Sequence, residues 1–367
     1  MALDFIGKVP AKTRIVVAMS GGVDSSTAAA LMVEAGYEVI GITLQLYDHG
    51  VAIESSRTCC AGRDIYDARR VAESLDIPHY VLDYESQFRQ EVIDTFADSY
   101  LRGETPVPCV QCNQTVKFRD LLITANDLGA DALVTGHYVR RIEGKTGPEL
   151  YRGVDHSKDQ SYFLFATTRE QLSYLAFPLC GMSKSETRDH AQRFGLRVAE
   201  KPESQDICFI PNGDYGRLLE KLRPGGWEPG DIVDLDGKRL GGHDGIVHFT
   251  VGQRRRLGIA TGKPLYVIRV EPGTRNVVVG PRQALFRQHF SVGGINWLGE
   301  GELGNEGSEI LVKIRSTSEP VPATISMGAN GRWNVTFTTP AEGTSPGQAA
   351  VFYQGERVLG GGWIESD

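Results

Sequence analysis

Across the first 200 or so residues, short apolar runs alternate with stretches of helical periodicity, and that alternation leaves few folds open to the chain. Ile15–Met19 is a short apolar run closed by a Gly turn, and Ser25–Glu34 behind it is Ala-rich and helical. Tyr37–Leu44 is a second β-rich run. Over Asp64–Leu75 the spacing of Ile65, Ala68, Val71, Ala72 and Leu75 puts all five on one helix face. His79–Leu82 and Asp131–Thr135 read as strands, and Gln87–Leu101 and Lys117–Leu128 as helices. Strands separated by helices of this length imply a doubly wound parallel sheet. Such sheets bind ligands at the carboxyl ends of their strands.

After about residue 205 the texture changes. Gly and Pro become dense, helical runs nearly vanish, and short β-rich runs follow one another: Val247–Val251, Leu265–Val270, Asn276–Val279, Glu309–Ile314 and Trp333–Thr338. Turn clusters such as Glu271-Pro-Gly273 and Ser345-Pro-Gly347 separate them. The pattern predicts small antiparallel β modules ending in a barrel. The expected organisation is an α/β domain over 1–205, a small central β-rich module over 206–275 and a C-terminal antiparallel β-barrel over 276–367.

The formal net charge is −7, which speaks against a protein that coats nucleic acid non-specifically. A local basic patch is still compatible with it. No apolar run reaches the length of about 18 residues that a membrane span needs, and Met1–Arg14 has no secretory h-region, so a cytoplasmic protein is expected. Six cysteines in 367 residues make no disulfide framework; thiols of a cytosolic chain are reduced and available for catalysis or metal binding.

The sharpest local signal is Ser20-Gly-Gly-Val-Asp-Ser-Ser26, which follows a strand and opens a helix. Its glycines let the backbone turn tightly with N–H groups outward, and the helix adds the positive end of its dipole, so an anion fits there. The bland alternative is a Gly turn capped by Asp or Ser. The pattern is neither a Walker A loop, which needs a Lys, nor the dinucleotide G-x-G-x-x-G. Ser20–Ser25 resembles the loop of the ATP pyrophosphatases, which cleave ATP between the α and β phosphates and adenylylate a carbonyl oxygen. The resemblance implies that the loop grips pyrophosphate and that Asp24 helps hold Mg²⁺.

Cys109 and Cys112 form a C-x-x-C in Pro106-Val-Pro-Cys-Val-Gln-Cys-Asn113, with a helix expected to start near Thr115. Three readings stand: half a zinc site completed by Cys59-Cys60, a pair of buried thiols, or a nucleophile. A helix N-terminus and the nearby Lys117 and Arg119 would lower the Cys112 pKa. Cys208, in Glu203-Ser-Gln-Asp-Ile-Cys-Phe209, follows a polar tetrapeptide at the expected domain junction. A lone Cys of this kind is usually core.

In their order along the chain these stretches closely resemble the bacterial tRNA-specific 2-thiouridylases. The further matches are Asp67-Ala-Arg-Arg-Val-Ala72, Val116-Lys-Phe118, Thr135-Gly-His-Tyr138, Lys158-Asp-Gln-Ser-Tyr-Phe-Leu164, Gly252-Gln-Arg254 and Pro346-Gly-Gln-Ala-Ala350. The resemblance implies an adenine nucleotide α-hydrolase-like fold and an enzyme that uses ATP, Mg²⁺ and a persulfide donor to convert the wobble uridine of tRNA to 2-thiouridine. It implies nucleotide contacts from Ala18, Met19, Ser20, Gly21, Gly22, Val23, Asp24 and Ser25, with Leu44 flanking adenine and Gly136 adding a contact. Cys112 matches the nucleophile, Cys208 the persulfide carrier, and Lys158, Asp159 and Gln160 a segment that contacts tRNA. The family often has Asn where this chain has Val107, so its base contact at Val107–Cys109 is not carried over. The family's Arg-Tyr pair in the last domain is Arg315-Ser316 here, and that tRNA contact is not carried over either.

The chemistry agrees with this. Exchanging a carbonyl oxygen for sulfur needs a better leaving group than oxide, which adenylylation supplies. Cys112 attacking a persulfide on Cys208 would leave a Cys112–Cys208 disulfide. The rivals are an amidotransferase-type ligase of the same superfamily, which needs neither thiol, and a non-catalytic RNA-binding or metal-storage protein.

Other residues keep two readings. Gln253-Arg-Arg-Arg256 opens a basic stretch, either solvated surface or a tRNA-backbone contact, and Arg140-Arg141 is similar. Phe209, Tyr138 and Tyr162 either stack on a base or sit in the core. His137 is a phosphate contact or structural, Cys59 and Cys60 are sulfur-relay thiols or helix-proximal packing, and Cys180 reads as structural.

Overall fold

The computed structural model describes residues 8–47, 60–202, 207–210, 215–304, 307–328 and 332–366. It divides into two compact units, one of Met1–Glu91, Cys109–Phe209 and Glu356–Val358, the other of Val92–Pro108, Ile210–Gly355 and Leu359–Asp367.

The first unit is built on a five-stranded parallel sheet in the order β3-β2-β1-β4-β7. Its strands are β1 (Arg14–Ala18), β2 (Glu38–Gln45), β3 (His79–Asp83), β4 (Ala132–Val134) and β7 (Leu175–Ala176). β1 pairs with β2 on one side and β4 on the other, so the order reverses between β1 and β4. That reversal opens the crevice where doubly wound sheets take ligands. Ile15, Val16 and Val17 are wholly buried, as a strand covered on both faces requires.

Helix α1 (Val23–Glu34) lies against this sheet through Ala28, Ala29, Ala30 and Met32. Helix α2 (Cys60–Ser74) buries Ala68, Val71 and Ala72, with Leu75 partly covered, along the face that its periodicity indicates. Ile65 of the same face stays half exposed. Cys59 lies outside the described residues, as do the Cys60 side chain and Glu203–Asp206.

Two helices differ from expectation. The run over 85–101 is Glu85–Phe88, a wider turn over Arg89–Asp94, and Thr95–Leu101. The helix expected from Lys117 begins at Pro108, passes through a wider turn over Asn113–Asp120 and resumes as Leu121–Asp127.

The alternating pattern also concealed an antiparallel hairpin, β5 (Val139–Gly144) and β6 (Gly147–Arg152), joined across a two-residue turn. Arg357 and Val358 pair with β6. Arg152 meets Asp159 at 3.3 Å with both side chains buried. Asp159 also accepts from the Gly153 and Ser161 amides and the Ser161 hydroxyl. Its carboxylate is therefore an internal brace of the segment over 158–160.

The second unit carries α4 (Tyr215–Leu222), the helix that the Gly-rich texture hid. Its amphipathic face buries Leu218 and Leu219, and Arg223 just beyond it reaches Asp94 and Asp98 at 3.0 and 2.9 Å. A four-stranded sheet holds β10 (Tyr266–Glu271), β11 (Asn276–Gly280), β8 (Gly230–Val233) and β9 (Arg239–His243) in that order. Its β11–β8 pair is parallel, so this module is mixed rather than antiparallel. The run expected as a strand at Val247–Val251 is a tight turn over Ile246–His248 followed by loop. Six antiparallel strands then close a barrel. They are β12 (Phe286–Trp297), β13 (Ser308–Lys313), β14 (Val321–Met327), β15 (Trp333–Glu342), β16 (Ala349–Gln354) and β17 (Arg357–Ile364). The seam is β12 against β17, which leaves no free edge.

Removing one member of a buried ion pair strands the other charge. Asp159→Ala should cost about 3–5 kcal/mol, read as a lower urea midpoint. A shift equivalent to under about 1 kcal/mol, the scale of an exposed pair, would contradict the bracing role.

Candidate active site

At the carboxyl end of β1 the chain runs through Met19 and Ser20 into two glycines and then α1. Gly21 has φ +71°, and a Cβ there would come within 2.1 Å of the Asp64 carbonyl oxygen, so only glycine fits this turn. Gly22 caps α1 in an extended conformation with no side-chain cap. The first amides of α1 are thus left to an incoming acceptor. Ser25 folds back, its hydroxyl accepting from the Ser20 amide at 3.1 Å. Gly136, just past β4, lies against the same turn, since a Cβ on it would meet the Ser25 nitrogen at 2.7 Å. Ala18–Ser25 and Gly136 therefore come together, and half-buried Leu44 stands at the carboxyl end of the adjacent strand β2.

Two lysines shape this turn. Lys184 opens α3 (Lys184–Arg193), and its Nζ reaches Asp24 Oδ1 and Oδ2 at 2.7 and 2.8 Å. The Tyr138 hydroxyl lies 2.7 Å from Asp24 Oδ1, and its ring lies under the Lys184 ammonium. Asp24 is held from two sides while a third of its side chain stays exposed. Lys201 Nζ donates to the Gly21 carbonyl at 2.9 Å, to Asp64 at 2.7 Å and to Asp67 at 2.5 Å. Desolvation works against its charge, yet the two carboxylates hold the Lys201 pKa above its ordinary value. Neither lysine stood out in the sequence, because the partners are 160 and 137 positions away.

Three thiols gather in the same unit. Cys112 is buried, Cys109 is half-buried, and Cys208 reaches solvent; all three are free thiols. They are close enough that Cys112 and Cys109 act electrostatically on Cys208. The Tyr47 hydroxyl, two residues beyond the end of β2, holds the Cys208 carbonyl at 2.9 Å. Phe209 packs edge-on against Phe88. From the other side Asn113 donates to the Phe163 carbonyl at 3.2 Å, and Phe118 packs on His137, the neighbour of Gly136. Burial pushes His137 down to about 3, so its ring is neutral and bonds Thr135 at 2.7 Å. Lys158 and Gln160 lie on the loop after β6, and the Gln160 side chain accepts from the Tyr138 amide.

The expected activation of Cys112 does not hold in this state. The helix begins at Pro108, so Cys112 sits beyond its first amides rather than just before a helix start. Burial raises its pKa, and Lys117 lowers it only in part. Burial raises Cys109 likewise. Crowding by protein atoms, then the two other thiols, pushes Cys208 up to about 12. Among the described residues no group of three or more His, Cys, Asp or Glu could hold a metal ion. Among the described residues no helix is long and apolar enough to cross a membrane.

Alkylation needs the thiolate. Iodoacetamide should modify solvent-accessible Cys208 slowly at pH 8, with a rate still climbing above pH 10. A rate that levels off below pH 9 would contradict the raised pKa.

Three family models match in series: a tRNA methyl transferase HUP domain over 13–212, a tRNA methyl transferase PRC-barrel domain over 219–281, and an aminomethyltransferase beta-barrel domain over 287–364. The chain is 62% identical over 365 residues to the tRNA-specific 2-thiouridylase MnmA of Rhodospirillum centenum, covering 97% of this chain and 93% of that protein. It is 58% identical over 361 residues to the protein of the same name from Paracoccus denitrificans, covering 97% and 92%. Against that from Rickettsia felis it is 58% identical over 356 residues, covering 97% and 98%.

Proposed function

The chain belongs to the tRNA-specific 2-thiouridylase family, and from that premise we propose that it is a tRNA-uridine 2-sulfurtransferase of the cytoplasm. The observation that carries the reading is the convergence of Cys208 with Cys112 and Cys109. Methyl transfer, which two of the family descriptions name, has no use for three coupled thiols. Sulfur transfer that ends in an internal disulfide uses two.

ATP suits the turn at Ser20–Ser25. Its α1 amides lack a capping side chain, and Gly21, at φ +71°, gives the backbone its outward turn. Asp24, gripped by Lys184 and Tyr138 and still partly exposed, is the carboxylate that would hold Mg²⁺. That ion would screen the phosphate charge as pyrophosphate departs.

In the proposed reaction the uridine C2 oxygen attacks the α-phosphorus, forming an O-adenylyl uridine and releasing pyrophosphate. Sulfur arrives as a persulfide on Cys208, loaded by a donor protein. In one order, the terminal sulfur bonds C2 and AMP leaves; Cys112 thiolate then attacks the Cys208 sulfur, freeing the thiocarbonyl. In the other, Cys112 first releases hydrosulfide, which displaces AMP. Either order ends in a Cys112–Cys208 disulfide, and a dithiol must supply two electrons to reset it. The raised thiol pKa values keep the resting cysteines protonated. Lys117, the cation that acts on all three, is the local group that favours their ionisation.

The test incubates the protein with unmodified tRNA, ATP, Mg²⁺ and a cysteine desulfurase, and analyses the nucleosides by mass. Wobble 2-thiouridine should form. Cys112→Ser and Cys208→Ser should each lower its yield at least about 10³-fold, the scale for losing a covalent nucleophile, while ATP cleavage persists. An unchanged wobble uridine with the persulfide loaded would overturn the reading. Full 2-thiouridine formation by both Ser variants would remove the two thiols from the reaction, and ATP cleavage with ammonia but no thiolated product would favour an ammonia-using ligase.

A further inference from the structure

The second unit holds a cavity of about 960 Å³ that the chemistry above does not use. This is the upper end of the size range of ligand pockets. Its lining includes Tyr100 and Tyr215, with Arg217, Arg255 and Arg256 around them, and no carboxylate among the described residues. All three arginines are exposed. Arg255 and Arg256 have no ion-pair partner among the described residues.

The loop that carries them is rigid before anything binds. Gln253 Oε1 accepts from the Thr250 amide at 3.1 Å, and its Nε2 donates to the Arg255 carbonyl at 3.0 Å. The Gly252 amide and the Val267 carbonyl close the loop onto β10 at 2.8 Å, and the Val267 amide returns to the Gln253 carbonyl at 2.9 Å. Arg256 is held at φ +60°, a conformation that costs an L-residue of its kind about 1 kcal/mol or more. A solvated arginine with no task has no reason to be fixed there. Tyr215 is half-buried, set beside Tyr100 at 6.2 Å between ring centroids.

We infer that this cavity seats one nucleotide of single-stranded RNA, its base on Tyr215 and its flanking phosphates on Arg255 and Arg256. Aromatic rings with surrounding arginines match the stacking platforms of single-strand binders. An acidic peptide would satisfy the arginines and leave the tyrosines unused. The inference rests on the tRNA reading and names a subsite for it.

The test uses the full chain and a fluorescent unmodified tRNA transcript, with Kd measured over a salt series. The double variant Arg255→Ala, Arg256→Gly should weaken binding about tenfold or more at moderate salt. It should lower the log–log salt slope by about 0.7 for each single-strand phosphate lost. Its thermal midpoint should match or exceed that of the wild type, since glycine is unstrained at φ +60°. Oligouridylate should compete for the wild-type protein more strongly than duplex RNA of equal length. An unchanged Kd and slope in the variant, with tRNA bound normally by the wild type, overturns the seat alone. So does lost sulfur loading from the donor at unaltered tRNA affinity, which would mark a protein-docking surface. A wild-type protein that binds no transcript takes down the tRNA reading and the seat with it.

Discussion

The ammonium of Lys201 is the interaction on which the nucleotide turn depends. The turn and α2 approach so closely at Gly21 that a single methyl group would collide with the backbone of Asp64. Asp64 and Asp67 bring two carboxylates to the same place, and by themselves they would repel each other and any incoming phosphate. Lys201 binds both and the Gly21 carbonyl together. Each of these partly exposed contacts is worth little singly; three converging on one nitrogen fix a geometry. Beyond the neighbouring strand β2, the Tyr47 hydroxyl holds the Cys208 carbonyl. The glycine turn after β1 and this contact after β2 therefore both lie beyond the carboxyl ends of adjacent strands.

The thiols pose an opposite problem. Protein atoms crowded around sulfur disfavour the thiolates that sulfur exchange needs. Desolvation prevails over Lys117 at all three cysteines. Their coupling has a further effect, because a thiolate on any one raises the pKa of its neighbours. Charge can therefore occupy the cluster one sulfur at a time, which is what thiol exchange between a single attacker and a single leaving group requires.

The sequence disclosed what periodicity and local motif encode. The parallel sheet, the Ala-rich α1 and the buried face of α2 followed from spacing alone. What it concealed depends on long-range partners. Lys184 and Lys201 look like ordinary surface lysines until the fold brings Asp24, Asp64 and Asp67 to them. Val247–Val251 has strand composition, but Gly245 packs so closely on Trp227 that the chain turns there instead. Cys112 was misplaced because the helix expected near Thr115 starts at Pro108, a first-turn residue whose missing N–H costs nothing. The hairpin β5–β6 is too polar on its outer face to interrupt an α/β pattern visibly.

Net charge is a poor guide to this molecule for a related reason. An excess of acids spread over a large surface sets the far field, whereas RNA binding is decided within a Debye length of about 8–10 Å. At that range the relevant charges are the few that the fold assembles without counterions. The loop over 250–256 does so by making Gln253, a neutral side chain, bond the backbone on both sides of it. Acids could have neutralised these arginines cheaply; a neutral brace keeps the loop rigid and leaves the guanidinium groups to a ligand.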